Sequence, residues 1–111
     1  MKHEMRLHNE PFNYIKTGTK TIEMRLYDDK RRLIKIGDII EFSNRVTDEK
    51  LDAKVVNLYT FNNFNELYKN FNKVCLGYNE DEVANPNDMN QYYSKVEQDK
   101  YGVIAIEIEK Q

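Results

Sequence analysis

The sequence predicts an α+β domain, a partly closed β-barrel or curled sheet of about five strands with two to three helices at its openings. Three observations predict it. Five segments show the two-residue alternation or short apolar run of strands, and three others carry apolar residues at helical spacing. Turn residues separate them, with no repeat, low-complexity tract or linker. The length, 111 residues, suits one domain and one core spanning residues 1–111.

His3 to Leu7 reads as the first strand, with Met5 and Leu7 on one side. Asn9 is the expected N-cap of a helix whose first turn holds Glu10 and Pro11, an acid that suits the dipole and a proline that costs little there. Phe12 and Ile15 share a face, and Gly18 suits the C-terminal cap. In the next strand Ile22, Met24 and Leu26 fall on one face; Thr21, Glu23, Arg25 and Tyr27 fall on the other. Lys20 precedes the regular strand. Asp28 to Arg32 is a charged turn, and Gly37-Asp38 is another after Ile34 and Ile36. Ile39, Ile40 and Phe42 form a strand that Ser43-Asn44 ends. Asp48 to Lys50 turns into a strand over Ala53 to Tyr59.

Phe64, Leu67, Tyr68 and Phe71 follow helical spacing behind the cap residue Asn63. Val74-Cys75-Leu76 is a short apolar piece closed by Gly77, with Cys75 a small buried residue. Tyr78 to Asn87 is an acidic, asparagine-rich loop. Met89, Tyr92, Tyr93 and Val96 predict another helix, with one tyrosine ring turned outward. Tyr101 to Ile108 closes the chain as a strand.

Composition excludes several classes. Apolar residues are 40% and charged residues 32%, as in ordinary soluble domains. No apolar run is long enough to span a bilayer, and the start lacks the apolar core of a signal peptide, so a cytoplasmic protein without a membrane partner is expected. The single cysteine forms no internal disulfide, in keeping with a reducing compartment. His3 and His8 are poorly placed for a metal, and there is no zinc ribbon, phosphate loop or nucleophile elbow, so neither metal nor cofactor is expected. The net charge of −2 argues against binding nucleic acid by bulk attraction. Charge is uneven, though. Lys16 to Lys35 holds seven basic residues against three acidic, and Leu76 to Gln111 holds eight acidic against three basic. A phosphate-bearing partner belongs to the first region, although Lys30-Arg31-Arg32 also reads as a solvated loop.

The chemistry concentrates at Gly18-x-Lys20-x-x-Glu23-x-Arg25, where a helix gives way to a strand. Arginine makes two-pronged bonds to phosphate or carboxylate, and lysine adds a second cation or a nucleophile. Glutamate orients both, reads an amino group, or acts as general base. The plain alternative is a Glu23–Arg25 surface salt bridge worth about 0–1 kcal/mol.

This stretch resembles the signature of the ASCH domain family, related to the PUA fold. Phe12-x-x-Ile15-x-x-Gly18 is similar to its approach helix, Ile36-Gly37-Asp38-x-Ile40-x-Phe42 to its next turn and strand, and Gly102 to Ile106 to its closing strand. The resemblance implies a PUA-like barrel with a cleft lined by the signature residues, and action on RNA or RNA-derived nucleosides. Similar small members hydrolyse acetylated cytidine with the signature lysine, a threonine three residues on and a distant glutamate; another is described as a single-strand ribonuclease. Here Lys20 matches the lysine, Glu23 stands in place of the threonine, and Glu80 or Glu82 are the candidates for the glutamate.

Three readings follow. In the first, the chain is a module for RNA or a nucleotide: Lys20 and Arg25 contact phosphate or a base edge, Glu23 orients them, and Lys30, Arg31 and Arg32 follow the backbone. In the second, a small hydrolase acts on RNA or modified nucleosides, with Lys20 as nucleophile or acid and Glu23 as base. In the third, a regulator contacts a protein partner through its acidic second half.

Overall fold

The computed structural model describes residues 1–111. Its strands are β1 (Lys2–Leu7), β2 (Ile22–Leu26), β3 (Ile39–Asn44), β4 (Lys50–Phe61) and β5 (Val103–Lys110). They form one sheet in the order β1-β3-β4-β5-β2. β1 runs parallel to β3, and every other pairing is antiparallel. The sheet curls into a half-barrel whose edge strands, β1 and β2, share no backbone ladder. That seam positions the site described below.

Four short helices surround the sheet: α1 (Asn9–Thr17), α2 (Phe64–Lys69), α3 (Lys73–Leu76) and α4 (Lys95–Tyr101). Two 3-10 turns, Arg31–Leu33 and Pro86–Gln91, complete the connections. Two cores share the sheet. Phe12 and Ile15 of α1 pack with Met5, Ile40, Phe42, Ile104 and Ile106 inside the curl. Ile22, Met24, Val103 and Ala105 pack outside it against Phe64 and Leu67 of α2 and against Leu76 and Met89. β2 is therefore covered on both faces, and the alternation that read as one apolar and one polar face separates two buried environments.

Local rules account for most boundaries. Gly18 takes φ +93°, and its N–H bonds the carbonyls of Tyr14 and Ile15, which ends α1. Asn63 accepts the Glu66 N–H and starts α2.

The departures also have physical causes. Asn9 is not the cap: it lies within α1, His8 precedes it without a side-chain cap bond, and the Asn9 amide oxygen accepts from Asn13 and Asn44. β3 runs on through Asn44, which is buried, because the Asn44 side chain itself caps the following turn by accepting from Val46 and Thr47. β4 runs from Lys50 to Phe61, longer than its alternation suggests, since a register shift between Val55 and Asn57 breaks the pattern. Val74-Cys75-Leu76 winds into α3, and Cys75 is half-buried.

The helix expected over Met89 to Val96 is two elements. The Ser94 hydroxyl accepts the Glu97 N–H while Glu97 returns a bond to Ser94, a capping box that starts α4 afresh. Val96 is then exposed, and Gln98 is the buried residue, donating to Asn90 and to the Tyr93 carbonyl. Tyr101 ends that helix instead of opening β5. No helix is long and apolar enough to cross a membrane.

Candidate functional site

A cleft of about 660 Å³ opens beside the seam between β1 and β2. The turn after α1 brings Lys20 to its floor, and β2 supplies Glu23 and Arg25. Lys20 is only 4% exposed. Its Nζ donates to the carbonyls of Ile22 (2.8 Å) and Leu76 (2.9 Å) and lies 3.3 Å from Glu23 Oε1. Three acceptors match the three protons of an ammonium group. The Leu76 carbonyl ends α3, and the neighbouring Cys75 carbonyl accepts the Thr21 N–H, so Lys20 and Thr21 together finish that helix. Gly77 follows at φ +107°, and a Cβ there would stand 3.2 Å from Lys20 Cδ.

Glu23 is equally engaged. Its Oε1 accepts the Met24 N–H at 3.2 Å, and its Oε2 accepts Arg25 Nε (3.1 Å) and Nη2 (2.8 Å). Burial pushes the carboxyl up, but the Arg25 and Lys20 cations outweigh it and hold Glu23 below its ordinary value. Burial pushes Lys20 down against the pull of Glu23. Arg25 is held above its ordinary value: Glu23 outweighs the effect of burial. Glu23–Arg25 is thus a buried pair rather than a surface bridge. Arg25 Nη2 also donates to the Arg6 carbonyl at 3.2 Å, so this side chain crosses the seam that the backbone leaves open. The Tyr93 hydroxyl also stands by the Arg25 guanidinium and helps to hold it above its ordinary value.

Of the other residues singled out from sequence, Arg31 joins the cleft and Lys30 and Arg32 do not. Asp28 draws Arg31 in by accepting its backbone N–H (3.1 Å) and its Nη1 (2.9 Å). Arg32 lies 4.1 Å from the centre of the Tyr27 ring, in a separate groove beside Phe61 and Tyr101. Lys30 is exposed. The 3-10 turn over Arg31–Leu33 splits this basic run, pointing consecutive side chains apart. Glu82 reaches the cleft rim and Glu80 does not.

The structure adds residues that the sequence reading missed. Arg6 and Arg45 line the cleft without an ion pair. They reach one cleft because β1 and β3 pair in register through Leu7 and Asn44, after which the Arg45 N–H bonds the Leu7 carbonyl. Tyr78, Asp88, Tyr92 and Tyr93 also line it. The Tyr78 hydroxyl donates to Asp88 Oδ2 at 2.8 Å and lies 2.9 Å from the Tyr68 hydroxyl. With its single proton committed to Asp88, Tyr78 accepts from Tyr68. Burial and these two bonds hold the Tyr78 phenol above its ordinary value. Tyr93 stacks on Phe64 at 6.2 Å, and Tyr92, half-exposed, packs near His8. The cleft is therefore lined by four arginines together with tyrosine rings and acidic side chains. No group of three or more His, Cys, Asp or Glu side chains is placed to hold a metal.

The ASCH domain model matches residues 5–111. The hypothetical protein PH0355, known from its crystal structure, is 37% identical over 100% of both chains with a TM-score of 0.84. Protein PF0455 from Pyrococcus furiosus, solved by NMR, is 35% identical over 99% of this chain and 97% of its own, with a TM-score of 0.75. The ASCH protein of Zymomonas mobilis is 16% identical, covering 97% of this chain and 66% of that one, with a TM-score of 0.70, and shares the fold. Comparison with curated proteins finds no match. The chain belongs to the ASCH domain family.

Proposed function

We propose that this ASCH-family chain is a binding module for single-stranded RNA or a nucleotide, which it holds in the cleft beside the β1–β2 seam. One observation carries this reading: Glu23 fixes Arg25 through Nε and Nη2, so that the guanidinium lines the cleft in a set orientation beside Tyr93. A guanidinium held this way loses little freedom on binding and presents a directed donor. Its surroundings suit a nucleotide. Arg6 and Arg45 stand ready for phosphate, Tyr92 offers a half-exposed ring for stacking, and the volume falls within the range of small-ligand sites.

The hydrolase reading fits less well. Burial lowers Lys20, as a nucleophile requires, but its Nζ is engaged by the Ile22 and Leu76 carbonyls and by Glu23. A general base needs a free oxygen, whereas both oxygens of Glu23 accept hydrogen bonds.

Titration with a short single-stranded RNA at several salt concentrations tests the proposal. Affinity should fall as salt rises. Arg25→Lys keeps a cation beside Glu23 but removes the fork, and should weaken binding about tenfold or more. Salt-independent binding, or full affinity in a folded Arg25→Lys protein, refutes it.

A further inference from the structure

We propose that the cleft selects a phosphate monoester, the terminal phosphate of a nucleotide or strand end, on the guanidiniums of Arg25 and Arg31. This rests on the nucleotide reading of the cleft and adds Arg31 as the residue that selects the phosphate.

The two arginines are moored in opposite ways. Arg25 gives Nε and Nη2 to Glu23 and has the Tyr93 hydroxyl beside it. Arg31 gives Nη1 to Asp28 Oδ2 and keeps Nε and Nη2 free. Nε and Nη2 together form the two-pronged edge that Arg25 turns on its own carboxylate. On Arg31 that edge has no protein partner, and its Nε is the one buried side-chain nitrogen or oxygen left without a hydrogen bond. A buried donor without an acceptor is destabilising, and such groups in native proteins call for an explanation. Asp28 keeps the side chain at the cleft through the backbone N–H and Nη1, which leaves a small turn of the guanidinium about that contact as the way to bring Nε to an acceptor.

The edge has the shape of a phosphate. Two parallel N–H donors match two oxygens of one tetrahedral anion, and the Arg25 guanidinium adds a second positive charge to the same cleft. Arg25, Arg31 and Tyr93 line the same cleft. The Arg25 and Arg31 side chains are only 14% and 16% exposed, so their donors are recessed. The end of a chain enters a recess that its middle bridges. A monoester also carries close to two negative charges near neutral pH, against one for a diester. A slight outward turn of the Arg31 guanidinium brings Nε to the ligand.

Calorimetric titration tests this with the four nucleosides, their 5′- and 3′-monophosphates, and one tetranucleotide ending in either a hydroxyl or a phosphate. The monophosphates should bind about tenfold to a hundredfold more tightly than the nucleosides. Arg31→Lys keeps the charge and removes the edge, so this ratio should collapse toward one. Asp28→Asn keeps the edge and loosens its mooring, and should lower the ratio part of the way; it also serves if Arg31→Lys does not fold. A ratio near one in the wild type, or an undiminished ratio in both folded variants, overturns the proposal. Equal losses for hydroxyl-ended and phosphate-ended tetranucleotides on Arg31→Lys overturn the terminal placement and assign the edge to an internal phosphodiester. If none of these probes binds, the nucleotide reading fails and this inference fails with it.

Discussion

Replacing Glu23 by glutamine separates a buried ion network from a surface bridge. The carboxylate takes four bonds: Lys20 Nζ and the Met24 N–H on Oε1, and Arg25 Nε and Nη2 on Oε2. Glutamine offers one oxygen. If that oxygen stays on Arg25, the amide nitrogen faces two donors, the Lys20 ammonium and the Met24 N–H. Two buried cations then share no counter-charge. Breaking a buried pair in this way costs about 3–5 kcal/mol, against about 0–1 for an exposed pair. The lower end applies here, because glutamine keeps part of the geometry. A loss of about 3 kcal/mol is a large share of the 5–15 typical of a domain, and lowers Tm by roughly 10 °C or more at this size. Urea unfolding at neutral pH measures it, with Glu66→Gln on the exposed face of α2 as control. The pH dependence gives a second check. Glu23 is held below its ordinary value, so its contribution is full above the unfolded pKa near about 4.3 and is lost as pH falls through the lower folded pKa. The gap between wild type and variant should therefore close in acid. A neutral-pH loss under about 1 kcal/mol, or a gap that persists when the wild-type carboxyl is protonated, refutes the buried-network account.

Two further outcomes follow from the same geometry. Gly77→Ala should destabilise by about 1–2 kcal/mol for its left-handed backbone, with an added loss from crowding Lys20 at 3.2 Å. Gly37→Ala, at φ +96° with open space around its Cβ, carries the backbone part alone, so equal losses in urea unfolding disprove the Lys20 contact. Asp38, held down to about 2 chiefly by His3 and by the Lys35 N–H, should stabilise the fold fully above about pH 4 and lose that contribution as pH falls toward 2. Thermal melts between pH 2 and 6 should show Asp38→Asn lower than wild type at pH 6 and level with it at the acid end; parallel curves contradict the assignment.

Some of this was legible in the residues. Gly18 marks the end of α1 because only a left-handed residue lets one N–H cap both Tyr14 and Ile15. Glu23 and Arg25 read as same-face neighbours from strand alternation alone, and they are. The burial of Lys20 was not legible, since it depends on the Leu76 carbonyl, 56 residues away in sequence. Arg6 and Arg45 carry no local signal either; a parallel register brings them together. The split of Met89 to Val96 was available in Ser94-x-x-Glu97, a capping box that the apolar spacing overrode in the reading. The run Lys30-Arg31-Arg32 misled for a related reason: composition marks a basic patch, but a 3-10 turn decides which side chain faces which groove.

The position of the cleft explains why its chemistry and its stability are hard to separate. A half-barrel with unpaired edge strands leaves a seam, and an open edge invites unwanted pairing. Here the Arg25 side chain spans it, donating from β2 to the Arg6 carbonyl on β1. The same guanidinium carries the donor proposed for the ligand. Removing it with alanine would open the seam, strand the Glu23 carboxylate beside Lys20 alone, and delete the binding group together. A loss of binding in that variant would say nothing about contact. Charge-keeping changes at Arg25 and Arg31 preserve the counter-ions of Glu23 and Asp28 and alter only the fork, so affinity measured in them reports on recognition. Ligand and seam closure are also linked: a ligand that binds Arg25 only in its bridging pose stabilises the closed edge by its binding free energy. Slower amide exchange along β1 and β2 in the presence of RNA, with β4 unchanged, is the expected sign of that linkage; uniform protection across the sheet would mean that the ligand acts on global stability instead.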